Sequence, residues 1–284
     1  MARFDLHRHS RPLRKGRETP GLLLFAVGVA LAATGCGTLP DGSRWGQDAF
    51  TGFDSNRIAK ATRDAFLSPH TLIPLAGAAV FAIDDFDERV SDWATDHTPV
   101  FGSEKDARDA SDHLRLFLAL ETLATALATP SGDQAGPWAA AKVRGMAVEG
   151  AGVVATQGLT GVLQGAIGRE RPNESNEHSF PSGHTSTSFA YATASNRNLD
   201  SIDLPTGVRP VLQTGNVILA GGVAWARVEG RKHYPSDVLF GAALAHFVTA
   251  FIHDAFMNLP DPDRTSLTAF PVEAGAGIQL AVRF

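Results

Sequence analysis

Three short segments hold the residues best suited to chemistry: Arg169-Glu170-Arg171-Pro172, Pro181-Ser182-Gly183-His184, and the run from Arg227 through His233 to Asp237. Arg171 and Arg227 bring planar, permanently charged forks that match phosphate oxygens. Ser182 and Gly183 fall where a helix is expected to begin. Unpaired N–H groups and the helix dipole make such an end an anion site, glycine lets a ligand approach the backbone, and serine adds a hydroxyl donor. His184 suits proton donation to a leaving oxygen, because an imidazole pKa can be set near neutrality. Asp237 lies one helical turn beyond His233. At that spacing a carboxylate can accept from one ring nitrogen and leave the other bare, as a nucleophile requires. The set fits phosphoryl transfer, where a protein mainly positions the group and neutralises its oxygens.

Such a site needs two helix mouths and two guanidinium groups to converge on one pocket. The apolar periodicity supplies the helices, with candidates near 56–67, 71–83, 86–96, 105–128, 136–168, 182–195, 210–228 and 235–256. Pro235 suits the first turn of the last of them. The expected fold class is therefore all-α, a helical bundle. Near the C-terminus SLTAFPV and GIQLAVRF flank EAGA, which predicts a β-hairpin or tail over residues 257–284. Two weakly hydrophobic stretches, residues 150–168 and the run from Val238, are expected to pack inside a soluble bundle rather than face lipid. GAGVVA at residues 150–155 matches a dinucleotide fingerprint only on paper, since no strand precedes it.

The three segments resemble the signature of the type 2 phosphatidic acid phosphatase superfamily, which also includes bacterial acid phosphatases and vanadate-dependent haloperoxidases. Its pattern is KxxxxxxRP, then PSGH, then SRxxxxxHxxxD. Here Arg171-Pro172, residues 181–184, and Arg227, His233 and Asp237 keep the order and spacing. The resemblance implies that His233 is the nucleophile and forms a phosphohistidine, His184 is the general acid, and Asp237 orients His233. It implies phosphate binding by Arg171, Arg227, Ser182 and Gly183, with no cofactor and no metal. Two positions depart from the pattern. The lysine of the first motif is Gln164, which can donate a hydrogen bond but brings no charge, and the serine before the arginine is Ala226. Arg169, Arg231 and Lys232 are the cations that could compensate. The expected activity is hydrolysis of a soluble or lipid-linked phosphate ester. The alternatives are a vanadate-dependent haloperoxidase, or a non-catalytic envelope lipoprotein whose site has decayed.

Of 284 residues, 44% are hydrophobic and 19% charged, ample for a sizeable core. Six basic residues precede the apolar run GLLLFAVGVALAATG, which is too short to span a bilayer comfortably and reads as a secretory signal over residues 1–35. Cys36, the sole cysteine, follows Ala-Thr-Gly and resembles a lipidation site. Residues 36–55 then read as a tether and 56–256 as the phosphatase domain. Without residues 1–35 the chain keeps 19 basic against 28 acidic residues, a net charge of −9 that disfavours nucleic acid. The expected location is the periplasmic side of an outer membrane, with lipid attached at Cys36. The acidic run around Asp84, Asp85, Asp87 and Asp92 lacks the spacing of a calcium loop and reads as a solvated helix face, and His178 as a solvated residue.

Overall fold

Capping and packing stripes, more than propensity, delimit the helices. Asp54 accepts from Asn56 N to start α1 (Ser55–Leu67), and Ser68 accepts from His70 N to start α2 (Pro69–Phe81). After α3 (Phe86–His97), Ser103 caps α4 (Glu104–Ala128). The longest helix, α5 (Ala135–Ile167), ends at Gly168, whose φ of 60° is the left-handed geometry that glycine adopts without strain. Three helices complete the bundle: α6 (Gly183–Ser201), α7 (Val208–Glu229) and α8 (Pro235–Phe256). These elements come from a computed structural model, which describes residues 35–52 and 54–259 and the backbone of residues 265–272 and 275–282. The fold is all-α, as expected. Residues 1–34 of the expected signal peptide lie outside the described residues.

Helix α8 is the central post, with α2, α6, α5 and α1 packed around it, while α4, α6 and α7 form a second group. Its buried face is built from small residues, among them Gly241, Ala242, Ala245 and Ala250, which let neighbouring backbones come close. At the C-terminal end the backbone of Thr265–Val272 (β1) pairs antiparallel with Gly275–Val282 (β2). The fold class rests on the helices and not on this pair.

Helices α5 and α8 are both long and apolar enough to cross a membrane, by length and composition alone. They differ in their surroundings. The apolar stretch of α8 is 61% buried and that of α5 only 33%. Burial inside the bundle therefore holds for the run from Val238 but not for residues 150–168. There only the narrow stripe Gly152, Thr156 and Thr160 is buried, while Val154 and Val162 are each 68% exposed. The reason is the four-residue spacing of the stripe, which occupies a single helix face.

Residues 36–55, expected as a tether, are partly packed. Trp45 is fully buried against Ala126, Val148 and Met257. Lys142 Nζ donates to the Ala126 and Thr129 carbonyls and to Thr129 Oγ1, and sits over the Trp45 ring, fastening the same corner. Gly145 is required here, because a Cβ at that position would lie 2.2 Å from a Trp45 ring carbon. Gly145→Ala is expected to destabilise the fold by about 3 kcal/mol, as overpacking against a rigid ring does. Urea denaturation reads this as a lower midpoint.

Candidate active site

The site is assembled at the end of the bundle where α5 stops, α6 and α8 begin and α7 stops. Ser182 is the N-cap of α6 and is fully buried, its Oγ accepting from Thr185 Oγ1 at 3.0 Å. Its backbone N–H donates to the Asp237 carbonyl at 3.1 Å, which ties the α6 mouth to the first turn of α8. The Ser182 hydroxyl thus serves the helix cap. Gly183 and His184 are the first residues of the helix, whose leading N–H groups have no intrahelical partner. A Cβ on Gly183 would only reach Gln164 Nε2 at 3.8 Å, ordinary contact, so internal packing does not dictate glycine there.

His233 lies just before α8 and is 1% exposed. Its Nδ1 is 2.7 Å from the Ser179 carbonyl. A carbonyl can only accept, so Nδ1 carries the hydrogen and Nε2 of the neutral ring is bare. The nearest Asp237 oxygen is 3.8 Å from Nδ1, beyond hydrogen-bond range. Direct orientation of His233 by Asp237 is thus corrected to an indirect one. Asp237 Oδ2 accepts from Ser179 Oγ at 2.5 Å and from Tyr234 N at 2.8 Å, fixing the residue whose carbonyl holds the imidazole. Burial lowers the His233 pKa, opposed by Asp237 and reinforced by the charges of Arg227 and Arg171. Burial also works against charge on Asp237, but the His233 ring, the Arg169 guanidinium and the Ser179 hydroxyl hold its pKa below the usual value.

Arg227 is 6% exposed, donates from one terminal nitrogen to Ser111 Oγ at 3.2 Å, and leaves its buried Nε without a partner among the described residues. Burial, then the charge of Arg171, lowers its pKa to about 10, which still leaves it charged at neutral pH. Arg171 donates weakly to the His178 carbonyl from Nε and a terminal nitrogen, both at 3.4 Å, and burial lowers its pKa. Arg227 is the common neighbour of the set, since its charge acts on both His184 and His233. The charge of Arg227 is thus felt by both imidazoles, and that of Arg171 by His233. His178 is exposed, in keeping with its reading as solvated.

Gln164 has another task than the one expected of it. Its Nε2 donates to the Pro181 carbonyl at 2.9 Å and lies 3.5 Å from the His178 carbonyl, so its amide N–H groups brace the loop rather than point at an anion. Of the three possible compensating cations, Arg169 is committed elsewhere: it binds Asp237 Oδ1 and Ser236 Oγ at 2.8 Å and Asp87 Oδ2 at 2.9 Å, beneath the Tyr234 ring. Arg231 is exposed. Lys232 is the one in the field of the site, where burial and then Arg171, Arg108 and Arg227 lower its pKa.

Asp87 corrects a further expectation. It is 4% exposed, accepts from Ser236 N at 2.8 Å and from the Ser236 hydroxyl, and pairs with Arg169, so it is not part of a solvated face. The helix expected near 105–128 is α4, but sequence reasoning gave it no part in the site; it places Ser111 against Arg227 and Asp112 Oδ1 2.9 Å from His184 Nε2.

Part of the chain is similar to known proteins. Residues 150–260 match the PAP2 superfamily model. A lipid A 1-phosphatase from Porphyromonas gingivalis is 33% identical over 98 residues, an alignment covering 34% of this chain and 20% of that protein. The matched stretch thus spans about a fifth of the relative's length. No solved structure matches.

Proposed function

We propose that the PAP2 superfamily segment at residues 150–260 makes this chain a phosphatase, acting on lipid-linked phosphate esters through a phosphohistidine, without a metal ion. The observation that carries this reading is the His233 ring, whose Nδ1 is bound to a carbonyl and whose bare Nε2 lies in the field of Arg227 and Arg171. Nε2 attacks phosphorus while the guanidiniums and the α6 N–H groups take the charge on the equatorial oxygens. Protonated His184 supplies the proton to the departing alcohol. It then deprotonates the water that breaks the P–N bond. Lys232 provides the charge that Gln164 does not. The lipid part of the reading rests on the relative's name and on the exposed aliphatic faces of α2, α5 and α7, with Ile73, Val154 and Ile218 each at least 67% exposed. We read Cys36, exposed beside the α4–α5 connection, as the lipid attachment point that holds the enzyme in the bacterial envelope.

The test is phosphate release by the full-length protein in EDTA, across lipid and soluble phosphates. Failure to release phosphate from any of them overturns the reading. A pH dependence accompanies it. Burial, Arg227 and Arg115 bring the His184 pKa down to about 4, against the opposing pull of Asp112. An acid must hold its proton, and the protonated fraction drops about tenfold per unit above that value. Burial also lowers the His233 pKa, which opposes protonation of the nucleophile. For an alkyl phosphate, kcat/KM is therefore expected to be highest at acidic pH and to fall steeply between pH 5 and 7.

A further inference from the structure

Helix α4 lies outside both the family match and the three motif segments, yet two adjacent residues on it hold the two charged partners of the site. Ser111 Oγ accepts from Arg227, and Asp112 Oδ1 meets His184 Nε2 at 2.9 Å. Nε2 is thus the nitrogen that carries the hydrogen in this contact, because a carboxylate only accepts. A general acid in this pocket has a difficulty: Arg227 from α7 and Arg115 from α4 surround it with positive charge. Asp112 is the group that opposes them, and it does so at one specified ring nitrogen. Resting on the phosphatase reading above, we propose that Asp112 is the positioning residue of the general acid: it orients the His184 ring and keeps the transferable proton on Nε2.

When a phosphate ester binds, its bridging oxygen takes over the Nε2–H hydrogen bond. The Asp112 side chain is 58% exposed, so moving it aside costs little packing. As the bond from His233 Nε2 to phosphorus forms, the P–O bond breaks and the Nε2 proton passes to the alcohol. His184 is left neutral, and the proton count closes without any transfer to Asp112. Asp112 therefore matters in proportion to how much the leaving group needs that proton. An alkoxide needs it, whereas a p-nitrophenolate leaves without it.

The experiment compares n-hexyl phosphate with p-nitrophenyl phosphate, using the full-length wild type, Asp112→Asn and Asp112→Glu. Asp112→Asn is expected to lower kcat/KM on the alkyl ester by about 10- to 100-fold, within the range general acids contribute, and to change the aryl ester by less than about threefold. Asp112→Glu should restore most of the alkyl activity. Arg115→Gln removes an opposing charge, so it should shift the alkyl pH profile upward, while Asp112→Asn shifts it downward. Equal losses on both esters, or no loss on either, overturn the role of Asp112 while leaving the phosphatase reading intact. A wild-type protein that hydrolyses neither ester overturns both.

Discussion

His233→Gln is expected to reduce phosphate release by about 10⁴-fold or more, the scale of removing a nucleophile from a site that otherwise only binds. The physical reason is that no other group can take its place. Nδ1 is committed to Ser179, and Nε2 is the bare nitrogen of a ring in the field of Arg227 and Arg171. Glutamine keeps a donor for the Ser179 carbonyl but has no basic lone pair. Rapid quench with a ³²P-labelled aryl phosphate should recover an acid-labile, base-stable phosphoprotein from the wild type and none from the variant. His184→Ala should move the other way. With an aryl ester the first step needs no acid, but hydrolysis of the P–N bond has lost its base, so the phosphoprotein should accumulate. Residual turnover of His233→Gln within about tenfold of wild type would reassign the nucleophile.

Local signals were strong enough to place nearly every helix. The predicted 235–256 coincides with α8, because Pro235 marks its first turn and the apolar run its body. For α6 the expected end at 195 falls short of Ser201, since Asn196, Arg197 and Asn198 look like a breaking cluster. Tertiary contacts satisfy them instead: Arg197 pairs with Asp254 and Asn198 bonds to Thr125. The motif residues were legible because their spacing fixes them on neighbouring helix ends. What surrounds them was not. Asp87 stands in a run of acidic residues that looks uniformly solvated, and only the packing of α3 under α8 singles it out. Asp112 is 72 residues from His184 in sequence, and no local periodicity connects them. Gln164 was readable as a departure from a pattern. Its bond to the Pro181 carbonyl, which makes the departure structural, depends on how the loop folds back. Trp45 was hidden among Gly and Asp residues that suggested a tether, yet it is fully buried.

Arg227→Gln has two separable consequences, and their combination identifies what Arg227 does. On the proposed reading, losing this buried guanidinium removes charge that would stabilise the transferring phosphoryl group and should cost about 10²- to 10³-fold in kcat at pH 5. Arg227→Lys should recover little, since a point charge does not reproduce the planar fork. The second consequence concerns His184. Burial is the largest cause of its low pKa of about 4, and Arg227 is the largest charge acting in the same direction. Removing that charge raises the His184 pKa toward its ordinary value, so a larger fraction of the acid is protonated at pH 6 to 7. The wild-type rate on an alkyl phosphate falls through this window, whereas the variant's fall begins at higher pH. The kcat/KM ratio of wild type to Arg227→Gln should therefore shrink as pH rises from 5 to 7, and p-nitrophenyl phosphate, whose first step does not need the proton, should show a kcat/KM ratio independent of His184 protonation. A ratio that stays constant with pH on the alkyl ester would mean that Arg227 acts on the phosphate alone and that His184 is not the acid.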